Sequence, residues 1–376
     1  MELYIAGGCG EHGRNCFVLT GKEYKIAVDC GIKEGDLYPT PYLKEEEIKA
    51  IKYLFLTHSH KDHVGALEWF YEQGFEGKVI LTKPTLNQMK VVPKEYLLID
   101  EVAKVLEVYP LEKELRVSYG KSGHCAGSVW YSIQFEEKSI IFSGDYIETS
   151  EVYPCDKIEK RTADLALLDC AYQMDKKSYK EQIEEFLDFL DTCNHQKRKV
   201  VLPVPKFGRS VEILYLILTH YGEKNIYMDE GMKAYLQSPD WKSWMKEGVL
   251  EVCKKAVCCT GQEYLQNEDA FLYILTDPQL VKEENQKICR DLATNGGAVV
   301  FTGNLDSGSY SHGMVKDDLA SFLRFPVHMN LEGATEVVNR NDFRQVVVTH
   351  SEHKLAIGDI MDNYLRFIPK DRMYLM

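Results

Sequence analysis

Four side chains able to bind a metal ion crowd into six residues of this chain: His58, His60, Asp62 and His63, within Thr57-His58-Ser59-His60-Lys61-Asp62-His63. The segment directly follows an apolar run, Tyr53-Leu-Phe-Leu-Thr57. Imidazoles and carboxylates at this density cannot all be core groups, because each would need a polar partner where the strand calls for burial. On a strand-to-helix turn, His58 and His60 face one way while Asp62 and His63 lie in the turn itself, so one cluster can feed two metal ions. A merely solvated loop fits less well, given the preference of imidazole and carboxylate for zinc-like ions. Thiolate ligation is not expected, since Cys258-Cys259 is the only adjacent cysteine pair and has no CxxC-type partner.

Further candidates stand at the ends of other apolar runs: Asp29 in Val28-Asp29-Cys30-Gly31, Asp145 in Ser143-Gly144-Asp145, and His350 after Gln345-Val-Val-Val-Thr349. His124 lies in Gly123-His124-Cys125-Ala126-Gly127-Ser128. Together with His58-x-His60-x-Asp62-His63 this set resembles the metallo-β-lactamase superfamily, whose signature is H-x-H-x-D-H. The resemblance implies one ion held by His58, His60, His124 and Asp145, and a second by Asp62, His63, Asp145 and His350. Asp145 would bridge the two, and Asp29 would support the ligands from behind. The implied cofactors are two divalent metal ions, with zinc expected and manganese the alternative at the carboxylate-richer second position. Such ions, typically about 3.5–4 Å apart, activate a water at neutral pH and brace charge on a phosphoryl or acyl group. Asp62 is placed to orient that water as well.

Three further segments resemble the β-CASP nucleases. Leu165-Ala-Leu-Leu-Asp169 looks like that family's motif A, Pro203-Val-Pro-Lys206-Phe-Gly208-Arg209 like its Gly-Arg turn, and Thr302-Gly303-Asn304-Leu305 like a small-residue loop late in its cap. The opening Gly7-Gly8-Cys9-Gly10-Glu11-His12-Gly13-Arg14-Asn15 is similar to the loop near the start of ribonuclease J and related RNases. The resemblance implies substrate contacts at Lys206, Arg209, Gly303 and Asn304. A helix N-terminus with free N–H groups, flanked by two cations, is suited to phosphate; the alternative is a structural ion pair at Arg209. A lone loop histidine such as His12 is more often solvated, and contact with substrate is the less favoured alternative for it.

One departure stands out: the motif B histidine, which the family pairs with the motif A carboxylate to assist the leaving group, is replaced by Gly333 in Val327-His328-Met329-Asn330-Leu331-Glu332-Gly333. His328 and His353 are the expected substitutes for that acid beside Asp169, with His312 or a water as further alternatives. Such assistance is typically worth about 10²–10⁴-fold.

The elements that must position these groups follow from periodicity. Short β-rich runs fill the first 170 residues, at Cys16–Thr20, Lys25–Asp29, Tyr53–Thr57, Lys78–Thr82, Val129–Ile133 and Ser139–Ser143, most of them ending in Asp, His or Gly. Helix and buried strand then alternate: helices over Lys180–Leu190, Arg209–Thr219 and Val281–Leu292, strands at Val200–Val204, Ile226–Asp229, Phe271–Leu275 and Ala298–Phe301. A last strand, Gln345–Thr349, leads to His350 and a terminal helix over about Lys354–Phe367. The expected fold class is α/β, a metallo-β-lactamase αββα sandwich with an inserted α/β β-CASP-like cap domain. Residues 1–172 and 326–376 form the first domain and 173–325 the inserted one. Because the sequence ends shortly after the expected terminal helix, the C-terminal domain of ribonuclease J-like enzymes is not expected in it.

Composition sets the outer bounds. Among 376 residues, 45% hydrophobic and 11% aromatic content describe a globular protein rather than a disordered one. Eleven scattered cysteines suit a reduced, cytoplasmic setting. No signal-like or membrane-spanning run is visible, so no membrane partner is expected. A net charge of −13 excludes a broad, passive nucleic-acid face, and any nucleic-acid groove must be local. The expected function is a metal-dependent nuclease hydrolysing phosphodiester bonds in single-stranded RNA or DNA, RNA before DNA. A hydrolase of a small phosphodiester or ester is the alternative, and a non-catalytic scaffold subunit a further one. A homo-oligomer is left open.

Overall fold

The computed structural model of the chain describes residues 1–173, 175–351 and 373–375. His353 and the expected terminal helix lie outside the described residues. The chain divides into two compact units, Met1–Glu148 with Pro154–Lys176 and His328–Met376, and Thr149–Tyr153 with Lys177–Val327.

The first unit is built on two sheets. One orders its strands Met373–Leu375, Glu2–Gly7, Cys16–Thr20, Lys25–Val28, Ile51–Phe55, Lys78–Leu81 and Tyr96–Leu98. The other orders Val346–Thr349, Leu165–Asp169, Lys138–Phe142, Val129–Phe135, Leu115–Lys121 and Tyr109–Glu112. Aromatic side chains join the facing sheets: Phe17 meets Phe142 at 6.0 Å between ring centroids, Phe55 meets Tyr131 at 5.5 Å, and the Tyr131 hydroxyl donates to the Leu56 carbonyl at 3.1 Å. Helices cover the outer faces. Leu67 and Phe70 of the helix Leu67–Glu72 share a core with Ala27, Leu54 and Val79, while Ala334, Val337 and Val338 of the helix Leu331–Asn339 share another with Ala166, Leu168 and Val346. The layers are therefore helix, sheet, sheet, helix, as expected for the αββα sandwich.

This arrangement decides where chemistry can occur. Leu165–Asp169 is buried at every position and pairs in parallel with both Lys138–Phe142 and Val346–Thr349. A strand covered on both faces tolerates only an apolar run. Polar residues are accommodated where each run stops, and parallel pairing puts those stops on one edge. Lys25–Val28 and Ile51–Phe55 are likewise parallel. Asp29, His58, Asp145, Asp169 and His350 thus all lie at or just past strand ends.

The second unit is a parallel six-stranded sheet in the order Val257–Cys258, Ile226–Met228, Leu272–Leu275, Val200–Pro203, Ala298–Phe301 and Ser321–Phe322. Its helix Tyr179–His195 starts at a capping box, in which Ser178 accepts from the Glu181 amide and Glu181 reaches back to the Ser178 amide, and buries Gln182, Phe186, Leu190 and Cys193. Thr149–Tyr153, not recognisable in sequence, is tied into this unit: the Ser150 hydroxyl donates to Glu212 at 2.7 Å and the Tyr153 hydroxyl to the Gly208 carbonyl at 3.0 Å. None of the cysteines is disulfide-bonded. Among the described residues, no helix is long and apolar enough to cross a membrane.

Candidate metal centre

Three overlapping sets of ligand atoms converge at the strand ends of the first unit, two of them the expected ones and the third made of Asp145, Asp169, His328 and His350. The ligand atoms of His58, His60, His124 and Asp145 lie within 4.8 Å of one another, and so do those of Asp62, His63, Asp145 and His350. Asp145 belongs to all three sets. Its Oδ2 is 3.3 Å from His58 Nε2 and 3.4 Å from His124 Nε2, and its Oδ1 is 3.1 Å from both His63 Nε2 and His350 Nδ1. Asp62 Oδ2 stands 3.2 Å from His350 Nε2 and 3.5 Å from His63 Nε2.

Proximity here is not pairing. His58 Nε2, His60 Nε2, Asp145 Oδ1 and His350 Nδ1 are buried and, among the described residues, have no aligned hydrogen-bond partner. Buried polar atoms left so are uncommon and costly, at about 1–3 kcal/mol each. These atoms lie within 4.8 Å of the other ligand atoms of their sets, and they are of the imidazole and carboxylate types that divalent ions take. The residues present fit divalent metal binding.

Electrostatics separate the two expected sets. Burial lowers the imidazoles of His58, His60 and His124 below the ordinary histidine value, His60 to about 3, leaving neutral ligands. Burial also opposes charge on His63 and His350, but the carboxylates of Asp145 and Asp62 outweigh it and raise both well above that value. Burial would raise Asp145, yet His63, His350, His328 and His58 around it hold its carboxyl well below the usual range. Protons on His63 and His350 thus balance charge where the second ion would sit, and metal binding displaces them.

The backing is equally specific. Asp29 accepts from the Thr57 amide at 2.8 Å and from its hydroxyl at 2.9 Å, and takes His63 Nδ1–H at 2.7 Å, so that His63 Nε2 is aimed at Asp145. Asp29 and His350 both hold left-handed backbone, at φ 60° and 58°, a conformation that non-glycine residues keep only where their surroundings over-determine it. Those surroundings are visible: the Asp29 amide donates to Phe55 O at 2.8 Å and the His350 amide to Gly8 O at 2.7 Å. Gly31 permits the Asp62 turn, since a Cβ there would lie 1.7 Å from the Asp62 carbonyl oxygen.

Beside the bridging carboxylate, Asp169 meets His328, whose Nδ1 is 3.0 Å from Asp169 Oδ2. The Tyr146 and Ala171 amides each donate to Asp169 at 3.0 Å. The His328 ring lies edge-on to Tyr172 at 5.3 Å and to His350 at 5.0 Å. Gly333, read from sequence as standing in for the missing histidine, is instead in the first turn of the helix Leu331–Asn339. The imidazole facing Asp169 comes from the loop before that helix. His312, on the helix Tyr310–Lys316 of the second unit, is exposed.

Sequence reasoning misplaced His12. It is not a solvated loop residue: its Nδ1 is buried and its ring stands edge-on to His350 at 5.1 Å. Its position between Gly10 and Gly13, glycines that let the backbone come close to other groups, was the available signal. In the second unit, Arg209 and Gly303 meet, and a Cβ on Gly303 would fall 1.9 Å from the Arg209 guanidinium. Lys206 is exposed beside Phe207, and Asn304 is exposed with its carbonyl accepting from Gln279 at 3.0 Å.

With fold and site in view, the comparisons with known proteins agree. A family model described as the Metallo-beta-lactamase superfamily matches residues 9–191 of the chain. The inserted α/β unit is the feature expected of that superfamily's β-CASP branch. Among curated proteins, the chain is similar to Ribonuclease TTHA0252 of Thermus thermophilus, 28% identical over 63% of this chain and 60% of that protein. It is also similar to Transcription termination factor FttA of Methanosarcina mazei, 25% identical over 79% of this chain and 52% of that one. The chain thus spans about half to three-fifths of the length of these relatives. Among solved structures, a protein of unknown function from Enterococcus faecalis V583 shares the fold, with a TM-score of 0.64 at 12% identity over 100% of this chain and 99% of that one.

Proposed function

We propose that this protein is a metal-dependent nuclease that hydrolyses phosphodiester bonds, RNA in preference to DNA. The observation that carries the reading is the pair of ligand sets sharing Asp145, with Asp169 and His328 beside them. His58, His60, His124 and Asp145 would hold one divalent ion, and Asp62, His63, Asp145 and His350 the other. Zinc suits the imidazole-rich first set, and manganese is an alternative at the second. When bound, the ions supply Lewis acidity toward water and phosphoryl oxygen.

The chain's own residues supply the rest. Asp62 orients the attacking water, and Asp29 keeps His63 in its ligating tautomer through the Nδ1–H bond. Asp169 holds His328 by its Nδ1, which leaves Nε2 to hand a proton to the departing 3′-oxygen, so that the products carry a 5′-phosphate and a 3′-hydroxyl. Arg209, lodged against Gly303 at the start of the helix Arg209–Tyr221, together with Lys206 and Asn304 gives the inserted unit a local site for backbone phosphates within an acidic protein. RNA is favoured because the chain is similar in sequence to relatives named as a ribonuclease and a transcription termination factor.

The test is incubation of zinc- or manganese-loaded protein with 5′-labelled single-stranded RNA and DNA, beside Asp62→Ala. Metal-dependent cleavage of RNA, faster than of DNA and lost in the variant, is the expected result. Cleavage of a small phosphodiester but of neither polymer would transfer the assignment to small-molecule hydrolysis.

A further inference from the structure

The loop Gly8–Asn15 is fastened on both sides of His12. Arg14, fully buried, has Nε 3.0 Å from Glu11 Oε1 and Nη2 2.7 Å from Asp36 Oδ2, and Lys33 adds a 3.3 Å contact to Glu11. At the other end the His350 amide donates to the Gly8 carbonyl at 2.7 Å, and Cys9 forms a bridge with Ser351. A loop held at this many points does not leave its central side chain to chance.

That side chain has no role in the metal sets. Its ring stands edge-on to His350, with centroids 5.1 Å apart, but its nitrogens fall in none of the convergent ligand groups found among the described residues. Its Nδ1 is buried and, among the described residues, has no hydrogen-bond partner. An aliphatic side chain would fill the same space without the cost of an unmade hydrogen bond, so packing does not account for an imidazole here. What the position does offer is a polar atom on a ring packed against His350, a member of the ligand set that carries Asp62.

We infer that His12 is a substrate-contacting residue whose Nδ1–H donates to a non-bridging oxygen of the phosphate being cleaved, on the His350 side of the centre. This rests on the proposed phosphodiesterase reading, and it assigns the phosphoryl group an oxygen contact supplied by the chain itself. No bond is made or broken by His12, which binds and orients.

The experiment compares wild type with His12→Leu and His12→Asn, because the Asn amide can place a donor where Nδ1 stands and Leu cannot. Metal content, thermal unfolding, inorganic phosphate binding by calorimetry on the metal-loaded protein, and oligonucleotide kinetics are measured on all three. The expected result is unchanged metal content and unfolding, phosphate binding weakened roughly 10- to 100-fold in His12→Leu and largely recovered in His12→Asn, and a matching loss in kcat/KM. Loss of a metal ion in His12→Leu would overturn the inference by showing that the residue acts through His350. Unchanged phosphate binding in both variants would overturn it too. Should wild type cleave no oligonucleotide, the nuclease reading fails, while the phosphate measurement still decides the contact at His12.

Discussion

Asp169 Oδ2 and His328 Nδ1 lie 3.0 Å apart although 159 residues separate them in the chain. Two backbone amides already donate to Asp169, so its carboxylate is fixed and the imidazole takes its orientation from it. If His328 serves as the proton donor, Asp169→Asn and His328→Ala should each lower kcat by about 10²–10⁴-fold, and the double variant little further. The loss should shrink for a substrate with an activated leaving group such as a nitrophenyl ester. Full activity of both single variants on RNA removes the role.

Metal content should follow the two ligand sets. His60→Ala is expected to lose one ion and keep the other, His350→Ala to do the converse, and Asp145→Ala to bind both poorly, since Asp145 Oδ2 serves one set and Oδ1 the other. Elemental analysis after zinc and manganese supplementation reads this directly. Chelation should lower the unfolding temperature of wild type and leave that of Asp145→Ala nearly unchanged, because bound metal stabilises the folded state by mass action.

Glu212 gives stability a pH dependence unrelated to the metals. Burial pushes its carboxyl up to about 8, against the opposing hydrogen bond from Ser150 and the charges of Lys246 and Arg209. A folded-state value above the ordinary 4.5 means that the stability associated with the protonated form is complete below that value and is lost as pH rises toward about 8. Glu212→Gln keeps an acceptor for Ser150 and removes the titration. Urea midpoints at pH 5, 7 and 9 should show the variant gaining on wild type by roughly 2–5 kcal/mol across that window. Parallel curves would contradict the assignment.

Arg209 should act on binding rather than on chemistry. Arg209→Met is expected to raise KM for single-stranded RNA with little change in kcat, and to reduce the slope of log affinity against log salt by about one. An unchanged salt slope with a fall in thermal stability would instead make Arg209 a structural clamp on the Gly303 loop.

Much of the centre was legible because its chemistry is local. His58, His60, Asp62 and His63 sit within six residues, Asp145 and His350 close apolar runs, and His124 stands in a glycine-flanked turn. A buried parallel strand admits polar residues only where it stops, so the pattern of run and stop carried the α/β sandwich, most strand positions and the ligand candidates together. Even the Gly-Arg turn was marked, since Gly208 and Arg209 open the helix Arg209–Tyr221 as the spacing implied.

Three things only the tertiary structure decided. Periodicity is silent on the five residues Thr149–Tyr153, which join the second unit through Ser150 and Tyr153, side chains whose partners lie some 60 positions away. The histidine facing Asp169 could not be chosen by alignment, because a motif position names a place in a chain whereas a proton donor must occupy a place in space; His328 reaches it from the loop ahead of Gly333. His12 carries no signal in its own sequence neighbourhood beyond flanking glycines. Its place beside His350 arises because the first loop and the last buried strand, more than 300 residues apart, are drawn together where the Gly8 carbonyl accepts the His350 amide. A sequence records which groups a chain can bring to a site, and long-range pairing of the backbone settles which of them arrive.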